Sequence, residues 1–164
     1  MFNIGDIVVS SNNGICKITN IVKLDMFQEM NKPCFLLEPV TGENTKVYIP
    51  VETAEKRVRK VLNKEEAMDV IARASDIEEM VIDDEKDREH RYKEAIQSSD
   101  PEQLIRVIKN MYHRRKQRTI QGKKTTAVDE RYFKIAVHNL HSELAFALGC
   151  KEDEIQDMIQ KQAK

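Results

Sequence analysis

Residues 6–22, DIVVSSNNGICKITNIV, decide the fold of the first part of the chain. Asp6–Val9 is rich in β-branched side chains and predicts a strand. Ser11–Gly14 predicts a tight turn, because asparagine and glycine tolerate positive φ angles. Ile15–Val22 then alternates apolar and polar side chains, which is the period of a half-buried strand. The segment therefore predicts two strands that share one apolar face.

The pattern of short strands and turns continues to Val51. Cys34–Glu38 and Lys46–Pro50 predict a third and a fourth strand, separated by a turn at Thr41–Asn44, while residues 24–33 predict a loop or hairpin tip. Short antiparallel strands joined by tight turns over about 50 residues favour a small β-barrel of the SH3 or Tudor kind. A barrel made from so little chain buries only a modest core.

The remainder of the chain has a helical pattern. Asn63 and Glu66 have the spacing of a capping box, and Met68, Ile71 and Ala72 then share one helix face. Start signals, stop signals and apolar spacing predict four further helices, at residues 84–97, from Asp100-Pro101 onward, from Thr126 to Gly149, and at 151–161. We therefore expect a compact all-α bundle in this part of the chain.

Together these patterns predict an α+β protein with two domains. Residues 1–58 are expected to form the small antiparallel β-barrel of SH3/Tudor-like type, and residues 59–164 are expected to form the all-α helical bundle. A length of 164 residues accommodates two such small domains.

The composition excludes several classes of protein. No apolar run approaches the roughly 18 residues that a membrane span needs, and the N-terminus lacks the basic start and apolar run of a signal peptide. Cys16, Cys34 and Cys150 are scattered in apolar surroundings, which is typical of reduced core cysteines and indicates neither a disulfide framework nor a metal site. We therefore expect a soluble, cytoplasmic protein without a membrane partner.

Although the formal net charge is only −1, cations are concentrated in one stretch. No acidic residue lies between Gln103 and Val128, and Gln121-Gly122 indicates a loop within this stretch. A phosphate-binding surface has this pattern, although cations also favour a solvated helix C-terminus. The density of the cations, the lack of counter-charges and the position on a loop favour the first interpretation. The stretch contains Arg106, Lys109, Arg114, Arg115, Lys116, Arg118, Lys123 and Lys124, with His113 beside them.

A second basic set lies at the start of the predicted second helix. Arg88 and Arg91 are three residues apart and therefore share a helix face, while Tyr92 can pack inward. As an isolated signal, the set is better explained by ordinary ion pairs with nearby acidic residues. The basic set comprises Arg88, His90, Arg91 and Lys93, and the nearby acidic residues are Asp84, Glu85 and Glu89.

Motifs for catalysis are missing from the sequence. The chain has no HExxH, GxGxxG or P-loop motif and no nucleophile elbow. His138 and His141 lie three residues apart on one predicted helix, but no carboxylate or cysteine stands at a supporting spacing, so a surface or interface role is favoured over a metal site. We therefore predict no catalytic residue, no metal and no cofactor. A nucleic-acid-processing enzyme that uses the histidines is the least favoured hypothesis.

The order and spacing of several motifs resemble those of the CarD family, whose N-terminal motif also occurs in the polymerase-interaction domain of the transcription-repair coupling factor. Each motif alone is degenerate, but the resemblance covers essentially the whole chain. It is carried in the first half by Phe2–Val9 with Gly14, Ile18 and Ile21, by Val47–Val51 and by Val58–Val61. In the second half it is carried by His90–Lys93, Leu104–Arg115, Arg131 and Leu140–Leu148.

The resemblance implies a bacterial transcription regulator with two contact surfaces. Its N-terminal domain would dock on a lobe of the RNA polymerase β subunit by β-augmentation, through the strand edge Lys46, Val47, Tyr48 and Ile49 together with residues of the 23–30 loop. Its helical domain would lie against promoter DNA at the upstream edge of the transcription bubble, where it slows collapse of the open complex or slows promoter escape. The protein would act as a monomer when bound.

Most of the DNA contacts are expected to be made with the phosphate backbone, which positions a protein without reading the bases. The residues predicted to make these contacts combine the basic helix start with the basic stretch. They are Arg88, His90, Arg91, Lys93, Arg114, Arg115, Lys116, Arg118, Lys123 and Lys124.

One position departs from the family pattern. Many members place a tryptophan just before the basic helix start, where it wedges into the minor groove, but this chain has no tryptophan and the matching residue is Arg88. A guanidinium group enters a narrow minor groove but lacks the apolar face of an indole. We therefore expect DNA binding that relies on charge and weakens steeply as salt is raised.

A polymerase-binding adaptor is the alternative hypothesis. In this case the barrel binds RNA polymerase, but the helical domain recruits another protein rather than DNA. The two hypotheses differ in whether the protein changes the footprint of the polymerase on a promoter.

Overall fold

The computed structural model describes residues 1–23 and 32–162, so residues 24–31 of the predicted loop lie outside the described part of the chain. The chain forms two compact units, Met1–Val61 and Leu62–Lys164. The first, the sheet unit, contains the strands, and the second, the helical unit, contains only helices, so the predicted α+β class is confirmed. Among the described residues, no helix combines the length and apolarity that crossing a membrane requires.

The sheet unit is a curled, antiparallel half-barrel. Its strands are β1 (Ile7–Ser10), β2 (Gly14–Lys23), β3 (Pro33–Pro39), β4 (Val47–Pro50) and β5 (Val58–Lys60). Their order across the sheet is β4-β3-β2-β1-β5, which places β4 and β5 at the two edges. Gly14 ends the predicted turn between β1 and β2 with a φ of +69°, a conformation that glycine adopts without strain.

Alternation along the strands builds the core of the sheet unit. In β2, Cys16 and Ile18 are buried while Lys17 between them is exposed. Burial raises the pKa of the Cys16 thiol, so this residue behaves as a small apolar side chain. Cys16 and Cys34 are buried, which confirms the predicted core position of these two cysteines. The core further contains Val8, Phe35, Leu37, Ile49, Ala54 and Val58.

Strand β5 was not predicted from the sequence. A 3-10 turn at Val51–Thr53 and the short helix α1 (Ala54–Arg57) lead from β4 to β5, which pairs antiparallel with β1. The predicted boundary between the domains follows residue 58, whereas the compact sheet unit extends to Val61, because β5 adds to the sheet. A strand of three residues is too short for its alternation to be recognised.

Several helices of the helical unit begin at a capping side chain. It consists of α2 (Lys64–Arg73), α3 (Arg88–Ser98), α4 (Pro101–Ile120), α5 (Ala127–Leu148) and α6 (Glu152–Gln162). The capping box before α2 is confirmed, because Asn63 Oδ1 accepts from the Glu66 N–H at 2.8 Å and Glu66 Oε2 accepts from the Asn63 N–H at 2.8 Å. Asp100 caps α4, and Thr126 caps α5.

The predicted apolar face of α2 is right at Ile71, which is buried, and wrong at Met68 and Ala72, which are exposed. Met68 is 46% exposed, whereas Ala67, Val70 and Ile71 are buried. The small side chain of Ala67 occupies the inward position, whereas the prediction placed the larger Met68, one residue later, in that position. The core that α2 joins contains Leu104, Val107 and Met111 of α4, Tyr132, Ala136, Leu140 and Leu144 of α5, and Ile155 of α6.

Candidate functional site

The basic stretch between Gln103 and Val128 covers most of α4 and the loop to α5. The structure divides its cations into those tied to the folded unit and those that stay exposed. Lys109 belongs to the first group, because its ammonium group donates to the backbone oxygens of Ala74 at 2.6 Å, of Ser75 at 3.4 Å, and of Ile77. Lys109 therefore holds the segment that follows α2 against α4.

Arg114 and Arg115 have counter-charges that come from outside the stretch. Arg114 Nε donates to Asp129 at 2.8 Å, and its Nη1 donates to the two carboxylate oxygens of Glu85 at 3.0 and 3.1 Å. Arg115 pairs with Glu130 at 3.2 Å. The expectation that the cations of the stretch lack counter-charges is therefore wrong for these two arginines, because folding supplies acidic residues from α5 and from the segment before α3.

Arg88 is the centre of a polar cluster between α3 and α4. Its Nε and Nη2 donate to Glu85 at 3.0 and 2.6 Å, and its Nη1 donates to Tyr92 Oη at 2.7 Å and to Asn110 Oδ1 at 3.2 Å. Glu85 is the main cause of a raised pKa for Arg88, and Arg88 in turn lowers the pKa of Glu85. With its side chain only 15% exposed, Arg88 connects two helices.

The other members of the second basic set form short-range pairs or none. His90 lies 3.6 Å from Glu94, and Lys93 lies 3.6 Å from Glu89, each along one face of α3. Arg91 is half-buried and has no charged partner within the described part of the chain. Local ion pairing, the interpretation favoured for this set as an isolated signal, therefore describes Arg88, His90 and Lys93.

A second group of cations is exposed at the end of α4 and in the loop that follows. Lys116, Lys123 and Lys124 are exposed, and among the described residues none of them has an acidic partner. Arg118 donates from Nε and Nη2 to the backbone oxygen of Lys124, at 3.1 and 2.9 Å, which ties the loop to the helix end. We call Lys116, Arg118, Lys123 and Lys124 the basic surface, and its concentration of positive charge suits a phosphate backbone.

The predicted polymerase-binding edge coincides with β4. Lys46 and Val47 lie at its start, and Tyr48 is 42% exposed, whereas Ile49 is only 4% exposed and packs in the core. In the sheet order β4 has β3 as its one neighbour, so its other edge is open among the described residues. An open edge can accept an added strand through backbone groups, so Ile49 can take part only with its backbone. Residues 24–30 of the predicted contact loop lie outside the described residues.

The long-range partners in this region were missed from the sequence. The pairing of Glu85 with Arg88 spans three residues and was within the expected local pairs. Its pairing with Arg114 spans 29 residues, and the contact of Arg88 with Asn110 spans 22. Neither separation matches the repeat of a helix, so the sequence pattern does not predict these two contacts.

The histidines have ordinary surroundings. No group of three or more histidine, cysteine, aspartate or glutamate residues that could hold a metal occurs among the described residues. His138 lies 3.4 Å from Glu152. His141 lines an apolar cavity of about 280 Å³ together with Ile105 and Leu140. Burial is the main cause of a lowered pKa for His141, so the folded protein favours its neutral form.

Two models of protein families match the chain. Residues 2–62 match the CarD-like/TRCF RID domain, which is an RNA polymerase-interaction domain, and residues 66–160 match the CarD C-terminal domain. The two matches follow one another in the order of the sheet unit and the helical unit. No curated protein sequence matches the chain significantly.

The lowered pKa of His141 predicts a pH-dependent stability. Because the pKa in the folded state lies below the ordinary value of about 6.5, stability is fully present above that value and is lost as the pH falls through it. Denaturant unfolding at about pH 7.5 and about pH 5.5 should show this loss, and His141→Asn should reduce it. His138→Asn, on the same helix, should retain the loss. An equal loss in wild type and His141→Asn would contradict the assignment.

Proposed function

The chain belongs to the CarD family, and we therefore propose that it is a bacterial transcription regulator that docks on the RNA polymerase β subunit through β4 and contacts promoter DNA through its helical unit. The family consists of non-catalytic transcription factors that interact with RNA polymerase. The finer elements of the proposal are the β-subunit lobe, the DNA contact at the upstream edge of the bubble, and a change in open-complex stability. The protein would work as a cytoplasmic monomer.

The observation that carries the DNA contact is the basic surface. Lys116, Lys123 and Lys124 are exposed and, within the described ranges, have no acidic partner, unlike Arg114 and Arg115. Cations that are already paired must lose a partner before they bind a phosphate, whereas unpaired cations gain one. The basic surface is therefore the part of the predicted DNA-binding set that is ready to meet a phosphate backbone.

The polymerase contact is supported by the geometry of β4. Among the described residues, the strand lies at an open edge of the sheet and exposes Tyr48, so it offers a backbone edge together with one aromatic side chain. Backbone groups supply affinity in β-augmentation, and exposed side chains supply specificity. Tyrosine is also a residue type that is enriched among the energetically dominant positions of interfaces.

Docking on the polymerase makes weak DNA contacts sufficient. Nonspecific phosphate contacts alone give dissociation constants of about 10⁻⁴ to 10⁻⁶ M at physiological salt. A protein held on the polymerase meets the promoter at a high effective concentration, so contacts of this strength become occupied. Because phosphate contacts position without reading bases, the protein would act wherever the polymerase opens a promoter.

The polar cluster around Arg88 changes the expected role of this residue. Arg88 stands where many family members have a tryptophan, but its guanidinium group is held by Glu85, Tyr92 and Asn110. We infer that binding to DNA begins with the exposed basic surface rather than with insertion of Arg88 into the minor groove.

The adaptor hypothesis is favoured by one observation. Tyr112 and Ile120 of α4 are 60% and 78% exposed, and apolar side chains at such positions suit a protein partner. Salt dependence distinguishes DNA binding from the adaptor function, because an apolar contact with a protein does not weaken steeply as salt is raised.

Removal of three charges from the basic surface should weaken DNA binding. The variant Lys116→Gln/Lys123→Gln/Lys124→Gln should bind a polymerase–promoter complex less tightly than wild type does and should bind DNA-free polymerase equally well. The slope of log affinity against log salt should fall in magnitude by roughly 2 to 3, since each phosphate contact contributes about 0.9.

A matched control removes the same charge elsewhere in the helical unit. Lys64, Lys151 and Lys161 are exposed and lie on or beside α2 and α6. Their replacement by glutamine should leave the salt slope nearly unchanged. Equal slopes for wild type and the basic-surface variant would refute the proposed DNA contact and favour the adaptor.

Truncation of the exposed tyrosine on β4 should weaken binding to the polymerase itself. Tyr48→Ala should raise the dissociation constant for DNA-free RNA polymerase about 10-fold, the scale of an interface residue of intermediate importance. Tyr112→Ala removes an exposed tyrosine from the helical unit and serves as the control. If Tyr48→Ala bound polymerase as wild type does, the docking edge would lie elsewhere.

A further inference from the structure

An acidic segment lies along the basic helix α4. Residues 76–87 contain Asp76, Glu78, Glu79, Asp83, Asp84, Glu85 and Asp87. The Met80 N–H donates to the Arg106 backbone oxygen at 3.0 Å, and Asn110 Nδ2 donates to the Met80 backbone oxygen at 3.0 Å. Glu79 lies 3.2 Å from His113 Nδ1. Backbone and side-chain contacts therefore hold negative charge against a helix that is expected to bind a polyanion.

Glu85 makes the closest of these charged contacts and makes them to two arginines at once. Its carboxylate accepts from Arg88 at 2.6 and 3.0 Å and from Arg114 at 3.0 and 3.1 Å. The Glu85 side chain is 66% exposed, whereas those of Arg88 and Arg114 are 15% and 23% exposed. The carboxylate therefore lies on the solvent side of both guanidinium groups.

Each arginine has a further partner that is independent of Glu85. Arg88 Nη1 donates to Tyr92 and Asn110, and Arg114 Nε donates to Asp129 at 2.8 Å. If the Glu85 carboxylate moved away, these partners would keep both guanidinium groups in place. The vacated position would then face solvent between two fixed cations.

A phosphate group fits the chemistry of that position. Guanidinium groups bind carboxylate and phosphate with the same parallel N–H···O geometry, so an anionic phosphate oxygen can replace a carboxylate oxygen. The four charges of Arg88, Arg114, Glu85 and Asp129 sum to zero. Displacement of Glu85 leaves one net positive charge for the incoming phosphate.

We propose that Glu85 and a promoter phosphate compete for the guanidinium groups of Arg88 and Arg114, so that Glu85 limits the DNA affinity of the helical unit. This inference rests on the proposed DNA-binding function and adds a second phosphate site that opens only when Glu85 is displaced. The basic surface makes the first contact, and the Arg88–Arg114 pair makes the second. Glu85 thus acts as a positioning residue that occupies both guanidinium groups and keeps DNA binding weak.

The test removes the charge of Glu85 and retains its size. Glu85→Gln should bind a polymerase–promoter complex about 5- to 10-fold more tightly at low salt, and the salt slope should steepen by about 0.9, the value for one added phosphate contact. Binding to DNA-free polymerase should stay unchanged. Glu154→Gln, an exposed acidic position on α6, makes the same change in net charge and should leave the affinity unchanged.

A double-mutant cycle separates competition from a general charge effect. Arg114→Gln should cost little DNA affinity in the wild-type background, where Glu85 occupies the guanidinium group. In the Glu85→Gln background, Arg114→Gln should abolish the gain in DNA affinity, because the guanidinium group that Glu85 no longer occupies is then absent. An equal cost of Arg114→Gln in both backgrounds would overturn the proposal.

The outcomes also separate this inference from the proposed function. If the basic-surface variant loses DNA binding while Glu85→Gln matches Glu154→Gln, the protein binds DNA but Glu85 does not compete with it. If the basic-surface variant retains full DNA binding, the proposed function itself fails. Thermal unfolding of each variant verifies that the measured protein is folded.

Discussion

Helix α4 must bury Leu104, Val107 and Met111 in the core of the helical unit while it carries a dense set of cations, and this constraint shapes its surroundings. A mostly buried arginine is destabilising unless it has partners, because burial of an unpaired charge is costly. The unit meets this demand with acidic residues from neighbouring elements, Glu85 and Asp129, and with the carbonyl oxygens that accept from Lys109. Exposed lysines without an acidic partner among the described residues lie at the end of the helix and in the loop that follows it, at Lys116, Lys123 and Lys124.

In the proposed function, the two units bind different partners. The sheet unit offers an open strand edge, where backbone groups and Tyr48 can bind a protein partner. The helical unit offers the basic surface, where exposed lysines can bind phosphates of any sequence. The proposed DNA contact need not be strong, since docking on the polymerase would raise the local concentration of promoter DNA.

The features that could be predicted from the sequence are those set by neighbours along the chain. The capping box of Asn63 and Glu66 joins residues three apart, and four of the strands follow from alternation and turn residues. Strand β5 was missed because a strand of three residues is too short to show alternation. Met68 was predicted to be buried because its side chain is large and apolar, although it lies one position away from the buried face of α2. The long-range partners of Arg88 and Arg114 depend on how neighbouring elements pack, which local sequence does not encode.

A site-specific crosslink can test whether the basic surface contacts promoter DNA. A photo-crosslinking amino acid at position 123, on the basic surface, would be activated in a polymerase–promoter open complex and its DNA crosslinks mapped. The account predicts crosslinks at the upstream edge of the bubble that require a docked sheet unit. Crosslinks to protein alone from position 123, in complexes where the same amino acid at position 48 still crosslinks to the polymerase, would contradict it.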